Sequence, residues 1–130
     1  MFNYLIKIEY DGTEFVGWQS QKNGKSVQDT IEKALKKILK YKIKIIGAGR
    51  TDKGVHAFSQ FANFQLRKKI EDKKIFLNSI NYFLKKNLIS ILEIEIKSDS
   101  FHARHDAKIR TYEYLIINRQ GNLSIYKNKA

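Results

Sequence analysis

Between Gly47 and Ala57 the sequence reads GAGRTDKGVHA, eleven residues that hold three glycines, Arg50, Asp52, Lys53 and His56. Arg50 carries a planar, permanently charged fork suited to phosphate or carboxylate. Asp52 stands two residues after that arginine and one before Lys53, a setting that favours its ionised form. Such a carboxylate is a nucleophile, a general base or the anchor of a turn, and residue types alone leave all three open. The absence of cysteine removes thiolate nucleophiles, thiolate metal sites and disulfides together. The three histidines are His56, His102 and His105. With no cysteine and no helical pairing of histidines, no metal site is expected.

A second chemical cluster is Phe101-His102-Ala103-Arg104-His105, followed by Ile109-Arg110-Thr111-Tyr112-Glu113-Tyr114. Arg104, Lys108 and Arg110 alternate with Phe101, Tyr112 and Tyr114. That mixture suits RNA, where basic groups hold the backbone and aromatic faces hold unstacked bases. A plainer reading has Tyr112 and Tyr114 covering one face of a strand, which leaves the arginines unexplained. A third patch joins Glu9-Tyr-Asp-Gly12 to Phe15-Val-Gly-Trp-Gln19. Its tryptophan, Trp18, is either core or the wall of a groove.

These residues need a scaffold, and hydrophobic periodicity supplies one. Phe2–Tyr10 alternates and is rich in β-formers, so it reads as a strand closed at Asp11-Gly12. Ser26-Val-Gln-Asp29 resembles a capping box that opens a helix over 27–40, with Val27, Ile31, Ala34, Leu35, Ile38 and Leu39 on one stripe. Strands follow over 42–48 and 55–66, the latter with Phe58, Gln60, Ala62, Phe64 and Leu66 on one face. Asp72 caps a second helix over 73–86, with Phe76, Ile80, Phe83 and Leu84 inward. Strands over 89–97 and 111–118 complete the pattern. The order β-α-β-β-α-β plus one strand predicts an α+β, ferredoxin-like fold, an antiparallel sheet with its helices on one face. No linker divides the chain, so residues 1–118 form one domain and 119–130 a polar tail.

The chain has 130 residues, with 25 basic and 13 acidic side chains and a formal charge of +12. That excess favours a polyanionic partner. It also fits the base bias of an AT-rich genome, which by itself yields sequences crowded with Lys, Ile and Asn. No apolar run reaches the roughly 20 residues of a membrane span, and the charged start does not read as a signal peptide. A soluble, cytoplasmic protein is predicted.

Four segments then carry a resemblance: EYDGTEFVGWQ, SVQDTIEKAL, GAGRTDKGVHA and FHARHDAKIRTYEY. In their order and separations they look like the amino-terminal half of the TruA-type tRNA pseudouridine synthases, a likeness running from Tyr4 to about Asn118. GRTDKGVHA is its most specific part. The resemblance implies an isomerase that converts uridine to pseudouridine in the anticodon arm of tRNA without metal or organic cofactor. It places the catalytic aspartate on Asp52, its arginine on Arg50 and the active-site tyrosine on Tyr112. Arg104, Arg110, His102, Lys53 and His56 are then the RNA-binding candidates. The family's homodimers are about twice this long, so the 130 residues alone are expected to bind RNA weakly and turn over poorly. The competing readings are a non-catalytic RNA-binding module on the same scaffold and a structural partner of a second chain. The first has no need of a carboxylate amid cations, where it repels phosphate.

Overall fold

β1 spans Phe2–Tyr10, the bounds its alternation predicts, and buries Tyr4, Ile6, Ile8 and Tyr10 on one face. It lies inside a four-stranded antiparallel sheet of order β2-β3-β1-β4, completed by β2 (Ile46–Gly47), β3 (Ala57–Leu66) and β4 (Ile89–Lys97). Helices α1 (Val27–Leu39) and α2 (Lys73–Leu84) pack beside one another and close the core. This is the ferredoxin-like α+β plan. The computed structural model describes residues 1–107; Lys108, Arg110, Tyr112, Tyr114, the strand expected at 111–118 and the tail lie outside the described residues. Val27, Ile31 and Leu35 of α1 meet Ile80 and Leu84 of α2 in that core. Each such side chain contributes roughly 1.5–3 kcal/mol by leaving water.

Ser26 caps α1, its hydroxyl accepting from the Asp29 N–H at 3.0 Å. The Asp29 carboxylate accepts instead from the Ser20 hydroxyl, 3.0 Å away, and so ties the preceding loop to the helix. The predicted stripe holds at Val27, Ile31, Ala34 and Leu35, whereas Ile38 and Leu39 are half-buried. In α2 the Asp72 cap forms as predicted, but Phe83 is 37% exposed and the α-helix gives way after Leu84 to a 3-10 turn, Lys85–Asn87.

Two strands depart from their periodicity for identifiable reasons. The strand expected over 42–48 pairs with β3 only at Ile46 and Gly47. Upstream, the backbone of Ile45 is taken by α1: its N–H donates to Glu32 at 3.0 Å and its carbonyl accepts from Gln28 at 3.2 Å. β3 itself starts at Ala57 and bulges at once. Tyr10 pairs with Ala57 and Ile8 with Gln60, so Phe58 and Ser59 together oppose Glu9. The expected core position of Phe58 is thereby lost, and its ring is 79% exposed. A matching irregularity in β4 aligns Ile91 with Ile8 and Glu93 with Lys7. It lets Ile89 and Ile91 share the inner face with Ile94, although their spacing is out of phase.

After β4 the chain crosses back to a short helix, α3 (Ala103–Asp106), which contacts β2 and β3. Two buried asparagines hold this return. Asn3 donates to the carbonyls of Ser98 and Phe101, both at 2.9 Å, and Asn63 donates to Asn3 at 3.2 Å while accepting from the Ala103 N–H at 2.8 Å. Buried amides keep their place in a fold when every partner is supplied.

Candidate functional site

The glycine-spaced stretch forms the connection from β2 to β3, and its backbone is tied down along its length. At the entry, the Ala48 N–H donates to the Phe61 carbonyl at 2.7 Å, and buried Gln60 donates through its side chain to the Gly49 carbonyl at 2.6 Å. In the middle, the Thr51 carbonyl accepts from the Trp18 N–H at 3.1 Å, while its hydroxyl meets the Tyr10 hydroxyl at 2.7 Å. At the exit, the Gly54 N–H donates to the Phe15 carbonyl at 3.2 Å, and the Gly12 N–H donates to His56 Nδ1 at 2.9 Å. Asp11 Oδ1 lies 3.1 Å from the same imidazole nitrogen. The segment between β1 and α1 thus serves as a cradle for the loop.

Trp18 is core, 2% exposed and stacked on Tyr10 with centroids 6.3 Å apart. It lies so close to β2 that Gly47 has no room for a side chain: a Cβ there would sit 2.6 Å from indole Cε2. Asp52 begins a tight turn, its carbonyl accepting from the Val55 N–H at 3.1 Å, and Gly54 takes the positive φ of 80° that such a turn needs.

It is the Asp52 backbone, therefore, that closes the turn. The Asp52 side chain is exposed and makes no hydrogen bond or ion pair among the described residues. The turn-anchor reading of this carboxylate loses its basis. Arg50 and Lys53 are exposed beside it in the chain, yet no ion pair joins Arg50 to Asp52. Backbone hydrogen bonds, not Arg50, orient the aspartate.

The remaining candidates divide. His56 belongs to the loop's support through Gly12 and Asp11. His102 caps α3, its Nδ1 accepting from the His105 N–H at 3.2 Å with the two rings 4.0 Å apart. Arg104 is exposed on α3. The structure thus joins Arg50, Asp52, Lys53 and His56 on one loop and sets His102 and Arg104 on a separate element seated over β2 and β3. No group of three or more His, Cys, Asp or Glu side chains with metal-binding geometry occurs among the described residues. Sequence reasoning did not single out Tyr10, Thr51 or Gln60. For Gln60 a signal existed, a polar residue in a core-facing position of β3; for the others none did.

Among the described residues, then, the Asp52 carboxylate stands exposed and unpaired on a backbone held on both sides. A family model described as tRNA pseudouridine synthase matches residues 6–106. The tRNA pseudouridine synthase A of Pelagibacter ubique (strain HTCC1062) is 50% identical over 130 residues, which is all of this chain and 53% of that protein. The namesake from Ehrlichia ruminantium (strain Gardel) is 46% identical over 128 residues, 98% of this chain and 52% of the relative. That from Thermoanaerobacter sp. (strain X514) is 41% identical over 128 residues, with the same coverage. The chain spans about half the length of the curated relatives it matches. With its model matched from β1 to α3, the tRNA pseudouridine synthase family is the one to which this chain belongs.

Proposed function

We propose that the chain is the loop-bearing half of an enzyme that isomerises uridine to pseudouridine in the anticodon arm of tRNA, with Asp52 as its nucleophile. The observation that carries this reading is the exposed Asp52 carboxylate, without a partner among the described residues, on a backbone fixed on both sides. The reaction breaks the N1–C1′ glycosidic bond, turns the base and rejoins it through C5. An unprotonated carboxylate serves by bonding to C1′ as the base departs, or to C6 of the ring, and it stabilises positive charge developing on the sugar. The fixed backbone supplies the positioning. Since the target base must leave its stack, Arg50 is assigned to the gap it leaves and Tyr112 to the face of the flipped ring, with its phenol available for proton transfer. Lys53, Arg104 and Arg110 meet phosphates, and His102 and His56 hold the elements that carry them. No cofactor enters the scheme. The remaining readings are one domain over 1–118, a cytoplasmic enzyme and a homodimer at full length. Among the described residues no helix is long and apolar enough to cross a membrane.

The test is tritium release from C5-labelled uridine in unmodified tRNA, using the chain extended to the length of its relatives. Asp52→Asn should abolish release while leaving RNA affinity near wild type; full activity would remove Asp52 from the chemistry. Arg50→Lys keeps the charge and loses the fork, so turnover should fall far more than affinity. Equal losses would make Arg50 a plain phosphate contact. A non-catalytic module would release no tritium in any variant.

A further inference from the structure

The β3 bulge turns Phe58 away from the core face six residues after Asp52, on the strand that leaves the loop, and the ring is 79% exposed. Bulges next to functional loops re-aim side chains. Phe61, opposite Lys7 on the outer face of the sheet, is itself 37% exposed. The surroundings are polar. Glu9 and Ser59 flank the ring, and Arg50 and Lys53 stand exposed on the adjoining loop. A single ring with such a rim is far smaller than the ~1,000 Å² of a specific protein interface, and it matches one nucleobase in size and in its flat apolar face.

We propose that Phe58 is a stacking platform for an unpaired RNA base neighbouring the uridine presented to Asp52. The assignment rests on the RNA-modifying function proposed above and adds a base contact to it. Charge orients the strand. Glu9 and Glu93 are exposed along β1 and β4, where Lys7 faces Glu93 and Lys97 pairs with Glu95, so that side carries no net positive charge to draw phosphates. The ribose-phosphate chain therefore follows the cations of the loop, and the base lies over the ring. Stacking is indifferent to which base arrives, so Phe58 contributes affinity and placement, not sequence choice.

The experiment titrates the chain, extended to the length of its relatives, into an unmodified anticodon stem-loop RNA that carries 2-aminopurine at loop positions beside the target uridine. Fluorescence is read at several salt concentrations. Phe58→Ala should bind roughly 10-fold more weakly, within the ~5- to 150-fold span of a lost base–aromatic stack, and relieve the 2-aminopurine quench. Its salt dependence should match wild type, because no phosphate contact is removed. Phe58→Tyr should restore affinity to within about twofold of wild type. Wild-type binding that Phe58→Ala leaves unchanged would overturn the assignment alone. A wild-type chain with no RNA affinity would overturn the RNA function together with it. Self-association of the wild-type chain that Phe58→Ala abolishes would assign the ring to a protein contact instead.

Discussion

A methyl group at Gly47 should dislodge the cradle of the loop. The added Cβ would fall on the Trp18 indole, against Nε1 and 2.6 Å from Cε2 and 2.9 Å from Cζ2. Carbon contacts become favourable only near ~3.5 Å, so ring or strand must withdraw by roughly 1 Å. Trp18 has nowhere to go: it is buried and stacked on Tyr10. Overpacking of this kind costs about 1–3 kcal/mol. At about 4 °C per kcal/mol for a domain of this size, Tm should fall by ~4–12 °C. Since the Trp18 N–H holds the Thr51 carbonyl, the displacement reaches the residue next to Asp52. Trp18 is the only tryptophan, so its emission reports the event directly, shifting to the red and becoming more accessible to quenchers. Gly54→Ala is the control. With φ at 80° and no neighbouring atom within 4 Å, it meets only the backbone strain of a left-handed residue, about 1–2 kcal/mol, and should leave the emission alone. A Gly47→Ala chain with wild-type Tm and emission would refute the packing argument.

Three further outcomes follow from the hydrogen bonds. Gln60→Leu keeps volume but removes the side-chain grip on the Gly49 carbonyl, a net loss of about 0.5–1.5 kcal/mol; hydrogen exchange should quicken at the Gly54 and Val55 amides and stay unchanged in α1. Asn63→Leu leaves the Ala103 N–H without its acceptor, at a cost of about 1–3 kcal/mol, so tryptic cleavage after Arg104 should accelerate roughly 5- to 150-fold, and unaltered cleavage would contradict the asparagine lock. Burial holds the Glu32 carboxyl above the ordinary carboxylate range, against the opposing bonds from Ile45 and Gln28. The native state then binds the extra proton, so stability falls as pH rises from the unfolded carboxyl's value through the raised folded one. Glu32→Gln keeps an acceptor for the Ile45 N–H and should flatten that decline in melting curves taken across the acidic range.

β1 was legible residue by residue because its alternation, its β-formers and the Asp11-Gly12 stop all agree. α1 and α2 were legible from their caps and stripes. What failed was local pattern overruled by distant partners. Ile45 alternates as a strand should, but Gln28 and Glu32 reach its backbone first. Phe58 sits in phase with Gln60 and Ala62, and only pairing with β1 reveals that one residue too many lies between Ala57 and Gln60. Asp52 was singled out through its loop's composition and the family likeness. Its support by Tyr10 and Trp18 was invisible, since each acts through a tertiary contact that no spacing records, and Gln60 signalled itself only as a polar residue in a core-facing position.

β1 is made before the two strands that flank it in the sheet. Phe2 waits for Leu66, and Asn3 waits for Lys97, 94 residues further along. At roughly 5–20 residues per second, the last of these partners arrives about 5–19 s after the first strand is made. Such non-local pairing is slow to form and leaves a β-prone segment without a mate in the meantime. Lys7 and Glu9, set among the aliphatic residues of that segment, act as gatekeepers against premature association. A nascent chain that already carries GRTDKGVHA thus presents no ordered site until Ala57–Leu66 has closed on β1: maturation of the site depends on the order of translation.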